Sequence, residues 1–359
     1  MKIKVLAKGA KIGSASFEYE PGYEFISDPA CSEYDWLVVY DELPGRDIGT
    51  FHDGYEELQC PRACTILATS EPTSIKHYSR AYAWQFGHLL TNRPFESEEH
   101  PHYHLGRGYY RWFIGRSYVE AVRTVLPPKT KPISTVCSSK QMRGTRHFDR
   151  FNLVRALADA IPEMDWFGHG VRSFGRKYEV TDPYKYQVVV ENHIAPHHWS
   201  EKTTDAFLSE CLPFYAGAPD LADDFPSASF IPIPINDPAK AAEIIKTAIL
   251  ADEYKKRLPA IREAKRLVLT KYNFWAQVIG VIKSAERTGP QEIRPSEPPP
   301  RLYARKALRM HSLRAARGRT CDVNVTGLSP FGRCVRLQEA QVVLQVVHAV
   351  FERRTETVH

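Results

Sequence analysis

The chain has 359 residues, 43% of them hydrophobic and 25% charged, with a net charge of +6, which is an ordinary globular composition and enough length for about two domains. No apolar run approaches the roughly 20 residues of a membrane span, and the stretch MKIKVLAKGAKIG is too short and too broken by lysine to read as a signal peptide, so a cytoplasmic protein is expected. From Arg301 onward there are 11 Lys/Arg against 4 Asp/Glu, a net of +7, leaving 6 − 7 = −1 for residues 1–300; a nucleic-acid-binding core, whose basic patch would sit on the folded part, is therefore not expected.

Apolar stretches at 3–7, 36–40, 65–69 and 87–91 read as strands, with a helix over 74–86. Residues 125–132, VLPPKTKP, read as a linker, because paired prolines stiffen the chain and stop helices. The alternation then becomes regular: strand 133–137, helix 150–161, strands 165–167 and 186–191, a helix from 201, strands 212–215 and 229–233. Asp237-Pro238 supplies an N-cap and a proline for the first helical position, opening a helix to about 250. Helical pattern continues to about 285, and the Pro-rich run 293–302 ends the compact part.

Strands alternating with helices predict parallel sheets with helices on both faces. Val188-Val189-Val190 suits a strand buried on both sides. The expected architecture is α/β: two Rossmann-like domains facing a cleft, at 1–126 and 127–290, then a Pro-rich linker and basic tail over 291–359.

Two metal-like patterns need weighing. Cys60 and Cys64 are the only close cysteine pair and no matching pair completes a zinc pattern, so structural or free thiols are expected. His100, His102 and His104 alternate, which on a strand would put three imidazoles on one face, but Glu98-Glu99 and Pro101 favour a loop. No metal site is expected.

The chemistry concentrates at one strand–helix junction. Asn192 falls at the carboxyl end of strand 186–191, where open α/β sheets bind ligands. Ser200 reads as an N-cap, with Glu201 and Lys202 in the first helical turn. A helix N-terminus offers free N–H groups and about half a positive charge, which suits a phosphate, and Lys202 adds a full charge. Glu201 would accept from sugar or ribose hydroxyls, and Asn192 both donates and accepts. Together they suit a nucleotide-diphosphate ligand, although a dipole-driven Glu and an exposed Lys would give the same spacing.

The same stretch resembles the signature of the family 10 glycosyltransferases, the α-1,3/4-fucosyltransferases. It carries Tyr184-Lys185-Tyr186, Glu191-Asn192, Ser200-Glu201-Lys202, Leu212-Pro213-Phe214-Tyr215-Ala216-Gly217 and Pro226-Ser227-Ala228-Ser229-Phe230-Ile231. Ser200 replaces a Thr and keeps the cap; His198 stands where the family has a Tyr. Glu263-Ala264-Lys265, Lys271-Tyr272-Asn273-Phe274, Thr69-Ser70-Glu71-Pro72 and the segment 86–91 extend the resemblance over roughly residues 60 to 285. The tail is not covered.

The resemblance implies a fold, GT-B, and an activity: inverting transfer of fucose from GDP-fucose to a glycan or glycolipid hydroxyl, with no cofactor beyond the donor substrate. The family has no Asp-x-Asp metal motif and neither has this chain, so protein cations must neutralise the leaving diphosphate. Lys202 matches one. Arg150 matches the family arginine that precedes a helix in the donor domain, and its planar fork suits phosphate; Arg143 and Arg146 are sequence neighbours that could take its place. Glu71, after strand 65–69, matches the family Glu and is the expected general base, with Glu96, Glu98 and Glu99 as competitors. His198 lies where family members contact the donor. Two alternatives stay open: transfer from another nucleotide sugar, and a silent glycan- or nucleotide-binding protein. The basic run 301–317 is helix-compatible and resembles the basic C-terminal segment of members with lipid-linked acceptors. It is weighed as a peripheral contact with an anionic inner membrane face against a solvated tail.

Overall fold

The computed structural model describes residues 1–7, 16–44, 54–69, 71, 76–93, 100–108, 111–141, 146–288 and 301–305. Within them the strands are β1 (Lys2–Ala7), β2 (Ser16–Glu20), β3 (Tyr23–Ile26), β4 (Trp36–Tyr40), β5 (Tyr55–Glu57), β6 (Thr65–Thr69), β7 (His88–Thr91), β8 (Tyr103–Leu105), β9 (Lys131–Val136), β10 (Met164–Phe167), β11 (Tyr184–Val190), β12 (Leu212–Ala216), β13 (Ile231–Pro232) and β14 (Arg301–Tyr303).

The first sheet runs β2-β3-β1-β4-β6-β7-β8. All its neighbours are parallel except the β2–β3 hairpin, which turns at Gly22 in the left-handed region, φ 87°. Every residue of β4 and β6 is buried, as continuous apolar runs in a parallel sheet require. The second sheet runs β10-β9-β11-β12-β13, wholly parallel. Counted from β9 this is the order 2-1-3-4-5 of a doubly wound sheet. The winding reverses between β9 and β11, and the crevice beyond that reversal is where such sheets take ligands.

Helices fill both faces of the second sheet. His147–Ala160 and Pro238–Leu250 bury Leu153, Leu157 and Ile245 against Ile133 and Phe214 on one side. Glu201–Leu208 and Glu253–Thr270 bury Phe207, Ala264 and Val268 on the other. The next helix, Phe274–Thr288, falls in the range read as the second domain but packs on the first sheet, with Val278 and Ile282 against Ile3, Val5 and Ile66. The crossing is pinned by Tyr19, whose hydroxyl donates to Leu269 O (3.1 Å) and accepts from Asn273 Nδ2 (3.0 Å).

Several elements differ from the sequence expectation. Strands β2, β3, β5, β8 and β14 and the helix Tyr118–Arg123 carry no strong periodic signal and are set by their partners. Of the histidine run only His104 lies in a strand, β8, while His100 and His102 precede it in a loop and turn, as expected. The 74–86 helix contracts to Arg80–Ala83, since Ser79 Oγ accepts from Tyr82 N and caps it there; residues 72–75 lie outside the described set. The helix expected from 150 begins at His147, which places Arg150 inside its first turn rather than before it. Antiparallel pairing of β14 with β5 returns the chain to the first unit and buries Leu302.

The carboxyl edges of the two sheets meet. Gly108 N, beyond β8, donates to His197 O at 3.1 Å, and Asn92, beyond β7, touches His198. Two Rossmann-like units thus face each other across a cleft, the GT-B arrangement that was expected. No helix among the described residues is long and apolar enough to cross a membrane.

Candidate functional site

The second-sheet wall of the cleft is built on Glu191, one residue past β11 and 1% exposed. Its carboxylate accepts from Ser200 N (2.8 Å), Ser200 Oγ and Thr203 Oγ1 (2.9 Å). The strand end and the helix N-terminus are therefore locked together. Ser200 caps the helix as expected, its Oγ accepting from Lys202 N (3.3 Å), which satisfies one orphan donor of the first turn. Lys202 Nζ donates to Ser200 Oγ (3.0 Å) and Glu201 Oε1 (2.9 Å) and lies 3.6 Å from Glu191 Oε2. Burial pulls the Lys202 pKa down, but Glu201 and Glu191 outweigh it and the net shift is upward. Burial pushes Glu201 up, yet Lys202 and Lys177 hold it at about 2. Both groups stay charged at neutral pH.

Arg150 approaches from the other side of the β9–β11 reversal. It is 5% exposed, and its Nη2 donates to Ser138 Oγ at 3.4 Å. Its buried Nε has no hydrogen-bond partner among the described residues, and no carboxylate among them pairs with it. A buried cation without a counter-charge costs several kcal/mol, so this pocket calls for an anion. The positive field is felt by its neighbours: burial, then Arg150, Lys140 and Lys202, push His147 down to about 4. Arg146 points away and pairs with Asp149 at 3.1 Å near the surface. Arg143 lies outside the described residues.

On the opposite wall Glu71 follows β6 at the carboxyl edge of the first sheet, half-buried. Tyr78 stands beside it: burial, then Asp41 and Glu71, raise its pKa far above the usual phenol range, against the pull of Arg93. The Tyr78 hydroxyl donates to Asp41, and the Arg93 guanidinium lies 4.9 Å from the Tyr78 ring centre. Arg93 also helps depress His193 and His198 on the facing wall. Arg93 thus acts on Tyr78 of its own wall and on His193 and His198 of the facing one. Glu96, Glu98 and Glu99 lie outside the described residues.

The loop between Asn192 and Ser200 is clamped by residues that the sequence reading did not single out. His197 adopts φ 60°, and its N–H meets both Asp220 carboxylate oxygens at 2.9 Å. Arg107, from beyond β8, contacts the His197 ring and lies 3.5 Å from Asp224. Trp199 Nε1 donates to Asp224 at 2.8 Å, and Gly108 (φ 67°) packs so closely that a Cβ there would lie 2.3 Å from the Trp199 ring. None of these contacts has a local sequence signal, since each joins segments remote in the chain. Asn192 keeps its place at the strand end, its Oδ1 buried without a partner among the described residues.

An apolar pocket of about 220 Å³ opens beside this loop at the ends of β12 and β13, lined by Ile194, Tyr215, Ala218, Phe230 and Ile235 among others. The histidine cluster sits elsewhere, at the amino end of β7, where His88 Nδ1 lies 3.1 Å from His104 Nε2. Among the described residues no three His, Cys, Asp or Glu side chains converge as metal ligands. Cys60 and Cys64 are free thiols.

No family model matches the chain. The chain is 22% identical over 205 residues to the α-(1,3)-fucosyltransferase FucT of Helicobacter pylori, a match covering 56% of this chain and 38% of that protein. It thus spans well under half the length of the curated relative that it matches. Among solved structures, an α1,3-fucosyltransferase aligns at 16% identity and TM-score 0.47 over 80% of this chain and 91% of that one. Its form with GDP-fucose aligns at 13% and 0.43 over 81% and 91%, and Anabaena Alr3699/HepE in complex with UDP at 11% and 0.43 over 80% and 99%. The chain therefore resembles a family 10 fucosyltransferase in sequence as well as in signature.

Proposed function

We propose that this chain is an inverting glycosyltransferase that moves fucose from GDP-fucose to a hydroxyl of a glycan or glycolipid. The observation that carries the reading is the pair of cations, Arg150 and Lys202, flanking the reversal point of the second sheet, with Arg150 buried and paired with no carboxylate among the described residues. The family signature and the FucT match point to the same chemistry. In this reading the diphosphate lies between Arg150 and Lys202, which take up its charge as the bond to the sugar breaks and make a metal unnecessary. Glu201 and Asn192 hold hydroxyls of the donor. The apolar pocket takes the flat face of the nucleobase.

The acceptor hydroxyl enters from the first-sheet side. Glu71 removes its proton as the oxygen bonds to the anomeric carbon, and the diphosphate leaves from the opposite face with both bonding electrons. Inversion follows from that opposed placement of base and leaving group. The basic tail, whose residues beyond 305 lie outside the described set, is proposed to meet an anionic membrane surface where a lipid-linked acceptor would be presented.

The test is to incubate the purified chain with GDP-fucose and other nucleotide sugars, with and without an acceptor library, and to read products by mass spectrometry. Turnover of GDP-fucose with a fucosylated product supports the reading. Turnover of a different donor alone moves the assignment to that sugar, and GDP binding without hydrolysis or transfer makes the chain a binding protein.

A further inference from the structure

We infer that Asn92 sets the tautomer of His198, so that the imidazole presents its Nε2–H as a hydrogen-bond donor to a ligand oxygen in the cleft; the ligand half of this rests on the nucleotide-sugar reading above. Asn92 comes from the first unit, just past β7, and is 2% exposed. Its amide orientation is fixed by Gly108, whose carbonyl accepts from Nδ2 at 3.4 Å. The same Nδ2 lies 3.1 Å from His198 Nδ1. A group that donates to one neighbour through one hydrogen donates to the next through the other, so Nδ1 of His198 is an acceptor. In a neutral imidazole the proton then sits on Nε2.

The ring is held neutral by its surroundings. Burial, then His193, Lys202 and Arg93, push its pKa down to about 3, with only Glu201 pulling the other way. The His193 ring stands perpendicular to it, with centres 5.0 Å apart, and limits its rotation. The clamp of Asp220, Asp224 and Arg107 fixes the backbone on either side. No hydrogen bond occupies His198 Nε2 among the described residues, and two of the neighbours that set its field, Lys202 and Glu201, are groups proposed to hold the donor. Asn92 itself keeps a buried Oδ1 with no partner among the described residues, an acceptor available to a ligand hydroxyl. The residue is a positioning group: it acts on the donor through His198 and ties ligand binding to contact between the two units.

The tautomer is read directly by two-bond ¹H–¹⁵N correlation of the histidine rings, with His198→Gln identifying the resonance. Wild type at pH 7 is expected to show Nε2 protonated. Asn92→Leu, similar in size and without a donor, is expected to lose that preference while the melting midpoint shows it folded. A protonated Nδ1 in wild type, or a tautomer unchanged in Asn92→Leu, overturns the inference. The ligand half is tested on the donor KM. Gln places its amide nitrogen where Nε2 stood and Asn where Nδ1 stood. His198→Gln should therefore stay near wild type and His198→Asn should raise KM about 3- to 10-fold, as loss of one neutral hydrogen bond implies. Equal KM values for the two variants remove the donor role. If wild type binds no GDP-sugar at all, the functional reading fails while the tautomer measurement still decides the first half.

Discussion

Arg150 and Lys202 share one electrostatic pocket, yet only Lys202 is neutralised: it has Glu201 at 2.9 Å and Glu191 at 3.6 Å, whereas no described carboxylate pairs with Arg150. Arg150 thus presents a guanidinium that no described carboxylate pairs with, on the side of the crevice where a doubly wound sheet takes its ligand. Each substitution, Arg150→Ala and Lys202→Ala, is expected to weaken GDP binding by about 1.5–3 kcal/mol, or about 10- to 150-fold, as measured by calorimetry. Chelation with EDTA should change neither affinity nor turnover. Arg150→Ala should hold or raise the melting midpoint, because it removes an uncompensated buried charge. Wild-type GDP affinity in that variant would take the diphosphate away from Arg150.

Glu71→Gln keeps shape and hydrogen-bonding capacity but cannot take a proton. Transfer should fall roughly 100- to 10,000-fold, with GDP-sugar affinity within a few-fold of wild type. Affinity falling in step with rate would make Glu71 a binding residue. Asp41→Asn is a useful companion, since Asp41 holds the Tyr78 hydroxyl beside Glu71 without standing in the proposed base position.

Glu191→Ala should behave unlike Lys202→Ala. The buried carboxylate satisfies two hydroxyls and one backbone N–H and faces a buried ammonium. Removing it leaves those donors and part of the Lys202 charge uncompensated, a loss of about 3–5 kcal/mol. Urea unfolding is expected to show that loss in Glu191→Ala, which also orphans the Ser200 and Thr203 donors, and a smaller one in Lys202→Ala, which removes only the cation beside Glu201 and Glu191, although both lose GDP affinity. Equal stability of the two variants would contradict the junction role of Glu191.

The parts of this molecule legible in the sequence are those whose signal is local. Strands β4 and β6 and the helix Pro238–Leu250 could be placed because burial on both faces, a Pro at the first turn and an Asp cap leave marks within a few residues. Ser200, Glu201 and Lys202 were legible for the same reason: a helix start has a grammar. Strand β8 was hidden by three histidines, and β14 by the prolines before it, because β7 and β5 respectively decide those strands by pairing. Glu191 stood in the signature without a role, since its partners Ser200 and Thr203 become neighbours only when the strand and helix are docked. Asn92, Arg107 and Asp224 were invisible because their work is done between units.

Acid should destabilise the fold before it protonates the site carboxylate Glu201, which is held at about 2. Burial first, aided by nearby cations or imidazoles, lowers the pKa of His88 and His147 to about 4 and of His198 to about 3. In the unfolded chain each binds its proton near pH 6.5. Between those values the unfolded state holds more protons, so stability falls as pH falls from about 6.5 towards 4, by up to about 1.4 kcal/mol per unit for each group. Asp205 has the opposite sign: burial raises it to about 6 despite Lys177, so its contribution is present at low pH and lost as pH rises through 6. These three histidines, with His100, His104 and His193 shifted the same way, outweigh Asp205 and leave a net acid loss. Melting midpoints should be flat above about pH 7 and decline below 6.5, with a shallower decline in His147→Leu. A midpoint that rises on acidification would contradict the depressed histidines.

Strand β14 decides where the tail can be cut. Arg301 pairs with Glu57 at 2.8 Å, Tyr303 exchanges hydrogen bonds with Gln85, and Arg305 donates to His77 O at 3.0 Å. Leu302, 1% exposed, lies in the core with Tyr82 and Phe86; burying such a side chain stabilises by about 1.5–3 kcal/mol. Removal of everything after Pro300 therefore takes away part of the first unit, whereas truncation after Arg305 leaves the described fold complete. The chain ending at Arg305 should melt like full length and transfer normally to a soluble acceptor, while the chain ending at Pro300 should melt lower. The membrane proposal is tested on the first of these. Residues 306–317 carry Lys306, Arg309, Arg314 and Arg317, each contributing about 1 kcal/mol beside an anionic surface. Full-length protein should sediment with phosphatidylserine-containing liposomes at low salt and be released as salt rises, and the chain ending at Arg305 should stay in the supernatant. Equal sedimentation of both forms, or of neither, would leave the tail without a membrane role and the acceptor to be sought among soluble glycans.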